Sequence, residues 1–241
     1  VEFNVAERDK FLGVFSDLDR KKVADSVSVV IWTTTPWTLP SNQAVCLNAT
    51  LDYALVKIDS DEKSKTNLIA TEMKEEVIKR YDVEEYDVLA EVKGAALENF
   101  ELKHPFIDKN IPLILGEHVN TEAGTGAVHT APDHGLDDFY VGQKYGIGTL
   151  NLVDENGLFS EDAGEFAEAH VYKVDEQIIE KLKANKKLIA LEKIKHSYAH
   201  CWRTKTPLIY RATPQWFISM TEKGLLGSAL KAVDQIKWIP D

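Results

Sequence analysis

The chain has 241 residues, 44% hydrophobic and 28% charged, enough to bury one large core or one domain with a small appendage. Two cysteines, Cys46 and Cys201, are too few for a disulfide framework and fit a reducing, cytoplasmic setting; with no apolar run long enough to span a bilayer and no signal peptide at the start, no membrane partner is expected. A net charge of −11 argues against a protein that grips nucleic acid with its whole surface, yet residues 181–211 hold nine Lys or Arg against one acid, Glu192, a stripe that either meets phosphate or is a solvated face.

Residues 1–25 are polar and weakly periodic, and predict an edge strand or entry linker. Residues 27–33 (Val-Ser-Val-Val-Ile-Trp-Thr) are a β-branched, apolar run, hence a buried strand. It leads into Thr34-Thr35-Pro36-Trp37-Thr38-Leu39-Pro40-Ser41-Asn42, where each proline pushes the residue before it out of the helical region, predicting a rigid extended turn. At such a strand end Thr33 and Thr35 point one way and Thr34 the other. Small hydroxyls there suit a ribose or a carbonyl oxygen, although β-propensity and turn chemistry account for any one of them.

Residues 44–47, 53–58 and 67–70 predict an antiparallel meander with a charged turn at 59–65. Residues 71–81 predict a helix with Met73, Val77, Ile78 and Tyr81 on one face. Residues 88–93 predict another strand, residues 111–115 form an apolar run, and His104 before Pro105 reads as a turn residue. Residues 149–153 with a turn at 154–157 predict a hairpin, 175–185 a helix, and 187–194 and 208–213 two further strands. Many short strands with about three helices favour an α+β fold, a curled β-sheet or β-barrel core with peripheral helices.

The segment Gly124-Thr-Gly-Ala-Val-His-Thr-Ala-Pro-Asp-His-Gly-Leu-Asp-Asp138 stands at the centre of this pattern. Ala127 and Val128 end a strand, residues 130–135 form a loop stiffened by Pro132, and residues 136–144 begin a helix with Asp137 and Asp138 in its first turn and Gly146 past its end. Three readings stand open: the two aspartates only complement the helix dipole; His129, Asp133, His134 and Asp138 bind a metal for hydrolysis; or a metal-free pocket pairs a carboxylate with a cationic group and uses a histidine as wall. Further on, His196, His200 and Cys201 have the spacing of a partial zinc site, but a closed site needs four ligands and Thr204 stands where a second cysteine would help. The chain stops after Trp238-Ile239-Pro240-Asp241 without a closing element, as expected of a piece of a larger protein.

Trp32-Thr33-Thr34-Thr35-Pro36-Trp37-Thr38-Leu39-Pro40, together with Gly124-Thr125-Gly126-Ala127-Val128-His129-Thr130-Ala131-Pro132, resembles the editing domain of the isoleucyl-tRNA synthetases, the insertion that splits the catalytic fold of that class I family. Thr35-Pro36-Trp37 and His129 distinguish it from the valyl and leucyl siblings, whose threonine strand continues Thr-Thr-Arg-Pro. His196-Ser197-Tyr198, Cys201-Trp202-Arg203 and Ala212-Thr213-Pro214-Gln215-Trp216-Phe217 resemble the return to the synthetase body. The resemblance therefore implies an editing domain at 1–195 and a return segment at 196–241. Asp133, where the family commonly has a small residue, and Thr204 depart from the pattern.

The resemblance implies hydrolysis of valine from the 3′ terminus of isoleucine tRNA by water, with no cofactor for editing; ATP and magnesium would serve only the full-length synthetase, whose remaining chain is the other expected partner. No His-x-Gly-His element or Lys-Met-Ser-Lys-Ser-like loop is present, so this chain is not expected to activate an amino acid. The roles implied are Asp138 on the substrate α-ammonium, His129 as the wall that isoleucine would strike, and Thr34, Thr35 and Thr38 on the ester carbonyl, the ribose or the attacking water. Trp32, Thr33, Asn42 and Gly126 complete the expected substrate site.

Overall fold

A computed structural model describes residues 1–59, 64–83, 85–195 and 197–239. Among these, nine strands form one mixed sheet: β1 (Glu2–Val5), β2 (Val27–Val30), β3 (Ala44–Leu47), β4 (Asp52–Ile58), β5 (Lys65–Ala70), β6 (Asp87–Lys93), β7 (Glu101–Lys103), β8 (Asn110–Leu115) and β9 (Val128–Thr130). The order across the sheet is β6-β4-β5-β2-β1-β7-β8-β3-β9, so it is open, with β6 and β9 at its edges. Helices α1 (Arg8–Leu12), α2 (Lys74–Arg80), α3 (Leu136–Lys144), α4 (Asp175–Ala184) and α5 (Leu225–Val233) lie around it. The fold class is α+β as expected, with an open sheet and not the β-barrel alternative.

Strands β2, β3 and β5 are buried along nearly their whole length; β2 and β3 accordingly read as near-continuous apolar runs, while β5 buries Thr66 and Asn67 as well. The period of two along β3 serves two cores: Val45 and Leu47 join the main cluster with Phe3, Val29 and Leu55, while Ala44 and Cys46 face a small cluster with Ile114, Val119 and Val141 of α3. That small cluster seats α3, and with it the first turn carrying Asp137 and Asp138.

Several local expectations are corrected. The first strand is not an edge: Phe3 is fully buried and β1 pairs antiparallel with β2 on one side and β7 on the other. Only β4 and β5 form the expected hairpin; β3 lies apart, parallel to β8 on one edge and antiparallel to β9 on the other. Residues 60–63 of the charged turn lie outside the described residues. The run 36–41 is a 3₁₀ helix, Pro36–Ser41, rather than an extended turn. Pro36 at its first turn has no donor to lose and a suitable φ, and Asn42 beyond it returns to extended backbone. The hairpin at 149–157 and the strands at 187–194 and 208–213 reduce to isolated bridges or single backbone bonds, such as Val153 with Phe159 and Glu2 N–H to Lys187 O at 2.9 Å.

His104 is the turn residue expected, and more. Its Nε2–H donates to the Leu39 carbonyl (3.1 Å) while its Nδ1 accepts from Phe106 N–H (3.3 Å) and Ile107 N–H (3.0 Å), tying the 3₁₀ turn to the sheet. On the other side of that turn, α4 packs against it.

Candidate active site

The Gly-Thr-Gly turn before β9 is stitched into the sheet. Thr125 Oγ1 donates to Val30 O at 2.6 Å, Ala70 N–H donates to Thr125 O at 2.9 Å, and the Tyr53 hydroxyl donates to Gly126 O at 2.6 Å. Gly126 has φ +74°, and a Cβ there would stand 2.2 Å from Ala70 Cβ, so only glycine fits. These bonds join the ends of β2 and β5 to the start of β9, and they bring the threonine turn and the His129 loop, ninety residues apart in sequence, to one place.

There a cavity of about 450 Å³ opens, lined on one side by Trp32, Thr33, Thr34, Thr35 and Thr38 and on the other by His129 and Asp138. Ala123, Val128 and Ala131 line it from the backbone of the central segment, and Trp37, His134, Tyr198 and Tyr210 complete it. Seven of the nine residues singled out from the sequence therefore share this cavity. Asn42 and Gly126 do not line it: Asn42 is fully buried behind His129, and Gly126 faces Ala70. Asn42, expected either to brace the threonine turn or to contact the substrate, hydrogen-bonds His129 from behind, and Gly126 packs against the end of β5.

His129 is locked in one tautomer. Thr38 Oγ1 gives its only proton to Thr35 O (2.9 Å), so across the 3.0 Å contact it accepts from His129 Nε2–H. Asn42 Nδ2, which also donates to Ala44 O (2.8 Å), donates to His129 Nδ1 at 3.4 Å. Burial, with a smaller push from His134, lowers the imidazole pKa to about 4. The ring is neutral at pH 7 with both nitrogens engaged, and it offers the cavity a fixed carbon edge. The same bonds engage Thr38, whereas Thr34 and Thr35, whose hydroxyls contact each other at 3.4 Å, line the cavity. Thr33 Oγ1 accepts Thr35 N–H at 3.0 Å; the alternation expected of a strand end is lost because β2 stops at Val30.

Asp138 sits in the first turn of α3, and its Oδ2 accepts Ala131 N–H at 2.9 Å, closing the loop back on β9. Burial raises its pKa above the ordinary carboxylate value, partly opposed by the Ala131 bond. Among the described residues no hydrogen bond is made to its Oδ1, and the carboxylate lines the cavity. A cation is what such a group lacks.

The four candidate metal ligands are spent separately. Buried Asp133 accepts Leu150 N–H (2.7 Å) and Asn151 N–H (3.0 Å), away from the cavity. His134 donates from Nδ1 to Tyr210 O (2.8 Å) and accepts from Ser41 Oγ (3.0 Å), its ring edge-on to Trp37 at 4.8 Å. Among the described residues no group of three or more His, Cys, Asp or Glu is placed to hold a metal ion. Of the partial zinc spacing, His196 lies outside the described residues, and His200 donates from Nδ1 to Tyr198 O at 2.8 Å.

The lining residues that the sequence did not single out are instructive. Trp37 and His134 stood within the two motifs but were read as turn and metal ligand. Tyr198 and Tyr210 carry no pattern linking them to a threonine turn more than 150 residues away; only the path of the chain brings them there.

Residues 10–195 match the family model described as "Leucyl-tRNA synthetase, editing domain". An isoleucine–tRNA ligase of a Marinomonas species is 58% identical over 214 residues, covering 89% of this chain and 23% of its own. That of Pseudoalteromonas atlantica is 46% identical over 241 residues, covering 100% of this chain and 26% of its own. The chain thus spans about a quarter of the length of the curated relatives it matches. The solved structure of GlLeuRS-CP1 superposes with a TM-score of 0.63 at 15% identity, over 80% of this chain and 98% of that one, and shares the fold. The chain belongs to the editing-domain family of the aminoacyl-tRNA synthetases.

Proposed function

We propose that this cavity hydrolyses the ester joining valine to the terminal adenosine of isoleucine tRNA, as the editing module (residues 1–195) of a longer isoleucine–tRNA ligase whose chain returns through residues 196–241. The observation that carries this reading is one cavity lined by a half-buried, cation-seeking carboxylate, Asp138, together with a histidine edge held from both ring nitrogens, His129. Binding the substrate α-ammonium on Asp138 is a charge-assisted contact that sets where the side chain points. The His129 edge then limits its length.

Such a second site is needed because a single methylene in an apolar pocket is worth only about 1–3 kcal/mol; isoleucine against valine is the standard illustration of that limit. A site that hydrolyses only what fits inverts the problem: valine enters, isoleucine strikes the wall. Water attacks the ester carbonyl carbon, the bond to the ribose oxygen breaks, and that oxygen leaves with a proton, giving free valine and uncharged tRNA. Thr34 and Thr35, which line the cavity, donate to the carbonyl oxygen or orient the water in this scheme. Thr38, with its proton committed, positions His129 instead. An aminoacyl ester is already activated, and no metal is required by this scheme.

Deacylation of valyl- and isoleucyl-tRNA, both on isoleucine tRNA, tests the reading in the presence of EDTA. Wild-type chain should release valine faster than isoleucine. Asp138→Asn should slow valine release about 10- to 150-fold, the loss of a charged hydrogen bond. Loss of activity with EDTA, or an Asp138→Asn chain as active as wild type, would refute it.

A further inference from the structure

The cavity is larger than an amino acid requires. Its volume of about 450 Å³ falls within the ~300–1,000 Å³ that accommodate drug-sized ligands. The carboxylate and threonines account for the aminoacyl end. What remains is largely aromatic, and two of its rings, Tyr198 and Tyr210, come from residues beyond 195, where the match to the family model ends.

Resting on the function proposed above, we infer that Tyr210, with Tyr198, forms the stacking face for the purine base of the terminal nucleoside, and that His134 is the positioning residue that holds it there. Tyr210 is 58% exposed, yet the backbone beneath it is pinned. His134 Nδ1–H donates to its carbonyl at 2.8 Å, Arg211 Nε donates to Val153 O at 3.0 Å, and the Tyr198 hydroxyl donates to Leu208 O at 3.1 Å. A large ring kept open to solvent on a fixed backbone is prepared for a flat partner, and every base has a π-face to offer. The linkage is economical: the loop carrying Asp138 at one end carries His134 four residues earlier, so the amine anchor and the aromatic face are set by the same turn.

Calorimetry on this chain tests the inference with two probes: valyl-adenosine with its ester replaced by a hydrolysis-resistant amide, and the same valyl amide on a ribose without a base. Wild type should prefer the adenosine probe about ten- to hundredfold. Tyr210→Ala should remove most of that ratio, Tyr210→Phe should keep it, and His134→Ala should shrink it although both tyrosines remain. Asp138→Asn should weaken both probes and leave the ratio standing. A wild-type ratio near one, or a ratio unchanged in Tyr210→Ala, overturns the stacking face while leaving the Asp138 site intact. Binding of neither probe by wild type sinks the amine site and this inference with it.

Discussion

His129 and His104 do structural work only as neutral rings, and this makes the fold sensitive to acid. Burial lowers their pKa values to about 4 and about 3, against about 6.5 in an unfolded chain. Between those values the unfolded chain binds a proton at each histidine and the folded chain does not, so stability rises with pH across this window and is lost on acidification. At pH 5 the loss should be on the order of 2 kcal/mol per histidine, read as a falling Tm between pH 7 and pH 5. Asp138 acts with the opposite sign, since its raised pKa means acid relieves a partly buried charge; but a protonated Asp138 cannot hold an ammonium, so affinity for the valyl probe should fall at a pH above that of an ordinary carboxylate. His129→Ala should let isoleucyl-tRNA be hydrolysed within about tenfold of the valyl rate, because the wall is worth no more than one or two methylenes. The same change leaves Asn42 and Thr38 without their buried partner, so a lower Tm accompanies it.

At the scale of elements, the site is where two connections are forced together. The Gly-Thr-Gly turn is one of them. Gly126→Ala combines a φ of +74° with a Cβ 2.2 Å from Ala70, and should cost about 1–3 kcal/mol, measured as a lower midpoint in urea at unchanged m. The loop from β9 to α3 is the other. Asp133 holds the backbone N–H groups of Leu150 and Asn151 rather than a ligand, so Asp133→Ala should destabilise by about 1.5–3 kcal/mol and speed amide exchange at both positions while leaving the valine-to-isoleucine rate ratio unchanged. A changed ratio would put Asp133 back in the pocket. The departure from the small residue usual in this family is then a matter of bracing, not of pocket polarity.

At the scale of the molecule, the proposed function would have a chain of net charge −11 meet a polyanion through a limited surface. The stripe at 181–211 is partly spoken for: Lys181 and Lys183 pair with Glu165 and Glu180, Lys187 bonds Asn4, and Arg211 bonds Val153 O. Two or three phosphate contacts remain a reasonable footprint, for which affinity for the tRNA should fall about ten- to thirtyfold between 50 and 200 mM salt. A salt-independent affinity would exclude the stripe as an RNA contact.

The sequence by itself determined the pieces and their chemistry. The buried strands, the helices α2 to α4, the Gly-Thr-Gly turn and the threonine turn were legible because apolar period, proline and glycine placement act locally, over a few residues. Seven of the nine residues expected at the site share its cavity for the same reason, since motifs carry their residue types with them. Tertiary structure alone decided the rest. Whether β1 is edge or centre, and whether β3 joins the meander, depends on which buried faces find partners, and that is settled by long-range pairing. Which of the four candidate ligands stays available depended on distant groups: the Leu150 and Asn151 backbone N–H for Asp133, the Tyr210 carbonyl for His134, and the Thr38 and Asn42 side chains for His129. A side chain's chemistry is local; its availability is fixed by what the rest of the chain asks it to satisfy.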